Sequence, residues 1–395
     1  MHEWVPRLLS ALASTATVLV LFRLVRLLID VRTALWAALL YAFLPLTVYY
    51  GRTIQPESFM LLFSCLGLYA IARWSLRDSP WWLLLGWAAI TLTCLLKITS
   101  LYLGLPIAFL CWRRDGLRMI LRPELWIFAA ALFGAVLSWY MHANKLGQST
   151  GLSFGILHDP KHAPWAQLAD PQFYNIIILR RLAERHFTWA GFVLLLVGLC
   201  LPRRVAGERF FDIWLIAVIV YIGIAAFNNR IHEYYQLPFM LPGVVYPAKV
   251  LSRCWTGSLR CVLGAAVAAV VAFSAYRIAE YARLERPQAS AEIEAAQAAQ
   301  SLTTRDQLII AVDAQLPTNP TLLYIADRKG WTPRLEDLTL KHIGELRARG
   351  AIAIIGTKRP LRPQQRQQVD LWLDRVGTRY TIAHSTDDAF VVLLR

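Results

Sequence analysis

The chain has 395 residues, 57% of them hydrophobic and only 17% charged, with a formal net charge of +15. That is too apolar and too sparsely charged for an ordinary soluble enzyme, and apolar runs of roughly 18 residues or more recur along it, the length that crosses a bilayer. The positive charge does not point to nucleic acid, because the arginines collect at the ends of the apolar runs in a positive-inside pattern.

About ten apolar runs follow one another in chain order. They lie near 7–29, 33–50, 58–73, 80–96, 98–112, 125–143, 187–202, 210–227, 235–250 and 259–279. The N-terminal stretch MHEWVPRLLSALAST lacks the small-residue cleavage site of a signal peptide. One set of short connections carries Arg23, Arg26 and Arg32, then Arg73 and Arg77, Arg113 to Arg122, Arg203 to Arg209, and Lys249 to Arg260. The alternate connections carry only Arg52, Lys97 and Arg230. The first set is therefore expected in the cytoplasm. Both termini, the turn at 51–57, the loop of 144–186 and everything after 280 are then expected outside it. Within that loop, FYNIIILRRLAERHF is amphipathic and reads as a helix lying on the membrane surface.

Beyond the last run the pattern changes to soluble α/β. Residues 281–302 read as a helical connector, and DQLIIAVD, TLLYIAD, AIAIIGT, RYTIAHS and AFVVLLR read as strands. LEDLTLKHIGELRARG and RPQQRQQVDLWLDRVG read as helices, the first stopped by Gly350. The expected architecture is a polytopic α-helical membrane domain over 1–280, the connector, and a small α/β domain over 303–395. No GxGxxG or Walker sequence supports nucleotide binding. Six cysteines lie in or beside apolar runs without a CxxC pair, which suits packing rather than metal or disulfide chemistry.

Four polar features fall on the expected outer face. The turn LPLTVYYGRTIQPESF brings Tyr49, Tyr50, Arg52 and Glu57 between two apolar runs. Arg52 suits a phosphate, and Glu57 suits a base or a group that orients a hydroxyl; an Arg52–Glu57 ion pair closing the turn is the plainer account. Lys97 stands alone between two apolar runs, either holding a phosphate as a point charge or snorkelling to the interface. The stretch NNRIHEYYQLP presents His232, Glu233, Tyr234 and Tyr235, groups that bind a lipid phosphate, a metal or a sugar hydroxyl, or that form an interfacial aromatic belt. The loop holds His142, Lys145, His158, Asp159, Lys161, His162 and Asp170. Pro160 between the two HxxxH histidines argues against a helical metal pair there. No cofactor is fixed by the sequence, and a divalent metal stays open.

The RLLSALAS entry, the LPLTVYYGRTIQPE turn and the later HEYYQLPFMLPGV stretch give the chain a family likeness. It resembles the bacterial aminoarabinose-transferase-like and protein-mannosyltransferase-like membrane glycosyltransferases of the GT-C architecture over nearly its whole length. The resemblance implies a glycosyltransferase of the bacterial inner membrane. Such an enzyme takes a sugar from a polyprenyl-phosphate carrier and passes it to a lipid, glycan or protein acceptor on the periplasmic side. It implies that Glu57 matches the family's second acidic site, with Lys97 and the turn of His232, Glu233, Tyr234 and Tyr235 where carrier phosphate and sugar contacts fall; Arg52 is a further expected cation for the phosphate and Tyr50 a further expected substrate contact. It also implies a further helix and an acidic outer loop before RLLSALAS. Of that region only Glu3 stands in this sequence, and it is given no role, so truncation or a misassigned start is expected. The other accounts are a lipid or sugar transporter, whose charges belong near mid-span rather than at outer ends, and a degenerate paralogue acting as a partner subunit.

Overall fold

The computed structural model describes residues 4–150, 164–313, 319–358 and 362–394. It divides into two compact units, Met1–Ile278 and Ala279–Arg395.

In the first unit the limits of the helices follow from local chemistry. α1 (Trp4–Leu28) is followed by α2 (Val31–Phe43), which Asp30 caps by accepting from the Thr33 N–H at 2.9 Å and the Thr33 hydroxyl at 2.7 Å. The run at 33–50 is not one straight span. It breaks at Pro45, where α3 (Pro45–Gly51) turns away from α2 by 63°. The proline ring drives the residue before it out of the helical region, and Leu44 is extended at φ −65°, ψ 142°.

After the turn at 52–56, α4 (Glu57–Arg77) and α5 (Pro80–Leu96) form a close antiparallel hairpin. Glycine makes the approach feasible: a Cβ on Gly67 would stand 2.6 Å from Ile90 Cδ1. Because α4 starts at Glu57 and α5 ends at Lys97, the two charged residues meet at the same end of the hairpin.

A 3₁₀ turn (Ile98–Leu103) leads into α6 (Gly104–Asp115), and a second one (Gly116–Leu121) into α7 (Pro123–Thr150). Then come α8 (Pro164–Leu168), α9 (Pro171–Tyr174) and a wide-turned helix over Asn175–His186. α10 (Thr188–Cys200) leaves that helix at a 111° bend. The unit continues through α11 (Glu208–Ile224), α12 (Ala226–Ile231), the turn Glu233–Gln236, α13 (Leu237–Gly243) and α14 (Val245–Cys254). α15 runs without a break from Leu259 to Leu302, so the stretch read as a separate connector continues the helix of the last apolar run. All ten apolar runs have helical counterparts. Among the described residues four helices are long and apolar enough to cross a membrane, or six if each bent pair is one crossing.

The second unit holds a five-stranded sheet in the order β2-β1-β3-β5-β4. Its strands are β1 (Leu308–Asp313), β2 (Lys329–Trp331), β3 (Ala351–Thr357), β4 (Thr381–Ser385) and β5 (Ala389–Leu393). β1 pairs in parallel with β2 and β3, and β5 is antiparallel to β3 and β4. Alternate residues build two cores. Ile310, Val312, Ile354, Phe390 and Val392 pack under α17 (Leu340–Ala348) and α18 (Pro363–Gly377). Ile309, Ala311, Ala353, Ile355 and Val391 pack against Ala295, Ala296 and Ala299 of α15 and against α16 (Thr321–Ala326).

α16 corrects one expectation, because TLLYIAD is a helix and not a strand. Asn319 accepts from the Thr321 N–H and hydroxyl at its start, and Asp327 in the left-handed region (φ 51°) ends it. Its two buried residues, Leu322 and Ala326, are four apart, the helical spacing that a short apolar run hides.

Candidate functional site

Three segments of the first unit meet at the open end of the α4–α5 hairpin. The first is the turn between α3 and α4. Glu57 opens α4, where the helix dipole favours a carboxylate, yet its side chain is almost completely buried, at 3% exposure. The second is Lys97, which ends α5 in an extended conformation (φ −148°) and is thrown back across the hairpin. Its Nζ lies 2.6 Å from Glu57 Oε1. The third is the turn after α12: the same ammonium sits 4.0 Å from the ring centre of Tyr235 and 5.0 Å from that of Tyr234. Lys97 is thus held by one carboxylate and two aromatic faces, which attract a cation through their quadrupoles.

Glu57 Oε2 is buried and makes no hydrogen bond among the described residues, and Gln55 Oε1 shares that condition. A buried carboxylate oxygen without a donor is costly, so this is where strain or chemistry should be sought. Beside it is a void of about 10 Å³, whose polar walls come from Ser14, Thr47, Tyr50, Glu57 and Ser58.

A second carboxylate–cation pair stands across the aromatic wall. The Tyr50 ring lies 5.7 Å from that of Tyr234, and its hydroxyl donates to Glu233 Oε1 at 3.1 Å. Glu233 Oε2 accepts from Arg185 Nη1 at 2.5 Å. His232 stacks on Tyr234 and Tyr235, with ring centres 5.0 and 5.8 Å apart. Stacking on the two tyrosines partly desolvates the His232 imidazole and holds it below its usual range; the charges of Arg181 and Lys97 push the same way and that of Glu57 opposes them. The Tyr234 phenol is pushed up to about 12, first by burial and then by Tyr235 and Glu57.

Arg181 fixes the 229–236 turn. Its guanidinium donates to the carbonyls of Asn229, Arg230 (2.7 Å) and Ile231 (3.2 Å), and to Gln236 Oε1 at 3.3 Å. These carbonyls are the unsatisfied C-terminal end of α12, so one buried cation caps the helix and sets the turn. Gln236 adds bonds of 2.8 Å to the carbonyl and the side chain of Asn229. Arg230 points elsewhere, to Asp170 at 2.8 Å and Gln167 at 2.9 Å.

Of the residues singled out from sequence, Tyr50, Glu57, Lys97, His232, Glu233, Tyr234 and Tyr235 come together here. Arg52 does not join them in contact: it is exposed and makes no side-chain hydrogen bond or ion pair among the described residues. The turn-closing Arg52–Glu57 pair is therefore not formed, and Lys97 has taken its place. His142 and Lys145 are exposed on α7, and Asp170 pairs with Arg230. His158, Asp159, Lys161 and His162 lie outside the described residues, as does Glu3. No group of three or more His, Cys, Asp or Glu placed to hold a metal occurs among the described residues. Arg181 and Arg185 are the site residues that the sequence does not single out. The segment read as lying on the membrane surface has an inner face, with Ile177, Arg181, Leu182, Ala183 and His186 buried. Two arginines four residues apart on that amphipathic stretch are the one signal that points to them.

Residues 1–141 match the family described as dolichyl-phosphate-mannose-protein mannosyltransferase. Over that N-terminal segment the chain is similar in sequence to that family. A protein of Bacillus subtilis (strain 168) described as "Putative mannosyltransferase YycA" is 28% identical over 152 residues, which is 38% of this chain and 22% of that protein. The crystal structure of the Archaeoglobus fulgidus oligosaccharyltransferase with zinc and sulfate aligns with a TM-score of 0.57 at 13% identity, over 99% of this chain and 61% of that one. The same organism's oligosaccharyltransferase AglB, in complex with an inhibitory peptide and a dolichol-phosphate, aligns at 0.56 and 11% identity, over 96% and 61%. At such identities the likeness is one of fold alone. The chain spans about a fifth of the curated relative and about three-fifths of the archaeal enzyme.

Proposed function

We propose that this chain is a GT-C glycosyltransferase. It moves a sugar from a polyprenyl-phosphate carrier to a hydroxyl-bearing lipid, glycan or protein on the non-cytoplasmic face of the inner membrane. The observation that carries the reading is the Glu57–Lys97 pair set against Tyr234 and Tyr235 at the end of the α4–α5 hairpin. Transfer needs a cation for a leaving phosphate and a carboxylate for the proton of an attacking hydroxyl. The acceptor oxygen bonds to the anomeric carbon, the bond from that carbon to the phosphate oxygen breaks with its electrons going to the phosphate, and the acceptor proton passes to the carboxylate. Lys97 is assigned to the phosphate, with the exposed Arg52 as a second cation at the rim, and Glu57 is assigned to the proton. Tyr50, Tyr234 and Tyr235 would line the sugar pocket, with His232 and Glu233 contacting donor or acceptor.

The ten apolar runs are taken as ten crossings. The site and the α/β domain of 303–395 then lie outside the cytoplasm, as the arginine distribution requires. A reporter active only in the periplasm, fused after residue 280, should give signal; signal from a cytoplasm-only reporter there would overturn the orientation. The activity test uses the full chain in lipid nanodiscs with polyprenyl-phosphate-linked sugars, reading release of polyprenyl phosphate in the presence of envelope extracts. Lys97→Met should lower that release about a hundredfold or more. Equal release by Lys97→Met and the unaltered chain would sink the assignment.

A further inference from the structure

The structure presents an arrangement that a finished active site would not need: Glu57 occupies the cation that a phosphate should occupy. Glu57 Oε1 lies 2.6 Å from Lys97 Nζ, while the faces of Tyr235 and Tyr234 take up two further directions around the ammonium. Within the pair the lysine is the more open partner, 16% exposed against 3% for the carboxylate. An anion arriving from outside therefore meets Lys97 first and approaches it on the side away from Glu57.

We propose that Glu57 and the phosphate of the lipid carrier compete for Lys97, so that binding of the donor unmasks the carboxylate and its return to Lys97 expels the product. The inference rests on the reading of Lys97 as the phosphate cation. An ammonium has three N–H donors and one unit of charge, and two anions cannot both be neutralised by it at close range in a poorly solvated site. When phosphate takes the ammonium, the carboxylate loses the one ionic partner it has among the described residues and turns from a salt-bridge acceptor into a proton acceptor. Its second oxygen is already without a hydrogen bond among the described residues. The void beside it, about 10 Å³ and walled by Ser14, Thr47, Tyr50 and Ser58, gives the carboxylate room to turn among hydroxyls. That volume is roughly the space of one water molecule.

The charge balance also gives a direction to turnover. The donor is a phosphodiester with a single negative charge, and the leaving carrier is a monoester with up to two. Without a competitor Lys97 would hold the product more tightly than the substrate, and release would limit the cycle. A carboxylate fixed 2.6 Å away opposes that tendency without leaving the site. The exchange therefore activates the base only while donor is bound, and once Glu57 has passed the acceptor proton on to solvent its restored carboxylate resets the site.

The test is a sign. Farnesyl phosphate, a short polyprenyl monoester, is titrated into the full chain in nanodiscs, with farnesol as the uncharged control. Competition requires that Glu57→Gln, which removes the charge and keeps the shape, bind farnesyl phosphate roughly tenfold more tightly than the unaltered chain, with farnesol binding unchanged. Lys97→Met should lose the phosphate preference altogether. Unchanged or weaker farnesyl phosphate binding by Glu57→Gln, with Lys97→Met still impaired, overturns the competition and leaves the phosphate assignment standing. Unimpaired binding by Lys97→Met removes the assignment itself. Should Glu57→Gln fail to fold, infrared difference spectra of the unaltered chain decide. A carboxylate stretch that shifts with farnesyl phosphate and not with farnesol supports the exchange, and its absence overturns it.

Discussion

Two helices of the first unit begin with a buried glutamate paired to a lysine, and the two pairs are finished differently. At Glu208, the first residue of α11, both carboxylate oxygens are engaged. Oε1 accepts from the backbone N–H groups of Arg204 (2.8 Å) and Val205 (3.1 Å) and from Arg253 at 2.6 Å, and Oε2 lies 2.9 Å from Lys249. Tyr246, on the same helix as Lys249, donates to Asp212 at 2.9 Å, which in turn accepts from Arg203. At Glu57 one oxygen meets one lysine and the other meets no donor among the described residues. Lys249 is sealed at 2% side-chain exposure, whereas Lys97 is partly open. A buried charge cluster in which each carboxylate oxygen faces a cation serves the fold, even though Glu208 Oε2 and Lys249 Nζ meet as an ion pair without a hydrogen bond of good geometry. One left incomplete, open to solvent on the cation side, keeps capacity for a ligand.

That contrast can be broken by exchanging the readouts. Glu57→Gln is expected to reduce transfer by about a hundredfold or more, the scale of a lost general base, while the thermal midpoint stays close to that of the unaltered chain. Lys97 retains its two aromatic faces and its exposure, so the loss of charge at Glu57 does not strand it. Glu208→Ala should act in the opposite way, costing about 3–5 kcal/mol by leaving Lys249 buried without its carboxylate. Denaturation followed by size-exclusion monitoring should register that loss as aggregation at lower temperature. A Glu57→Gln protein that aggregates like Glu208→Ala would make Glu57 structural.

The next effect tests the scaffold around the incomplete pair. Arg181→Met removes the cap of α12 and leaves the carbonyls of Arg230 and Ile231 short of a donor, while that of Asn229 keeps its bond from Gln236. Transfer should fall by about tenfold as Tyr234 and Tyr235 shift from Lys97, the scale of a lost hydrogen bond to a charged group. Arg181→Lys, which keeps the charge and loses the fork, should recover little. Full recovery with lysine would mean that only charge is needed.

The difference between the two regions is partly legible in the amino-acid sequence. Lys97 stands out as a lone charge between apolar runs, and Glu57 as the carboxylate of a short polar turn between two others, where burial demands a reason. Their partnership is not legible, since it depends on the close return of α5 along α4 permitted by Gly67 and Gly86. Arg181 is hidden by its own amphipathic stretch, which suits a membrane surface equally well, and the carbonyls it caps lie 48 to 50 residues away. In the sheet unit, β1, β3, β4 and β5 carry β-branched and apolar runs that can be read directly. β2 is a three-residue edge strand, too short to leave a pattern. The bend at Leu44–Pro45 is legible in principle, as proline restricts the residue before it, but the apolar run continues through it.

The smallest expected effect is in pH, and it separates the two regions once more. His232 stacks on the tyrosines that hold Lys97, and packing together with Arg181 and Lys97 keeps its imidazole below the usual histidine range. A histidine whose folded pKa lies below its unfolded value takes up protons more readily when unfolded. Its neutral form is accommodated at neutral pH, and stability must fall as pH drops below about 6.5, the unfolded value, towards the folded one. Protonation in that window also sets a second cation beside Lys97, which weakens the hold of the site on its own ammonium. His232→Gln should remove this part of the acid dependence while leaving the rest of the melting profile unchanged. The measurement is the thermal midpoint between pH 7 and pH 5 for both proteins. Identical slopes would show that the histidine does not report on the aromatic wall, and a shallower slope for the variant would tie the wall, Lys97 and the open carboxylate into one electrostatic unit.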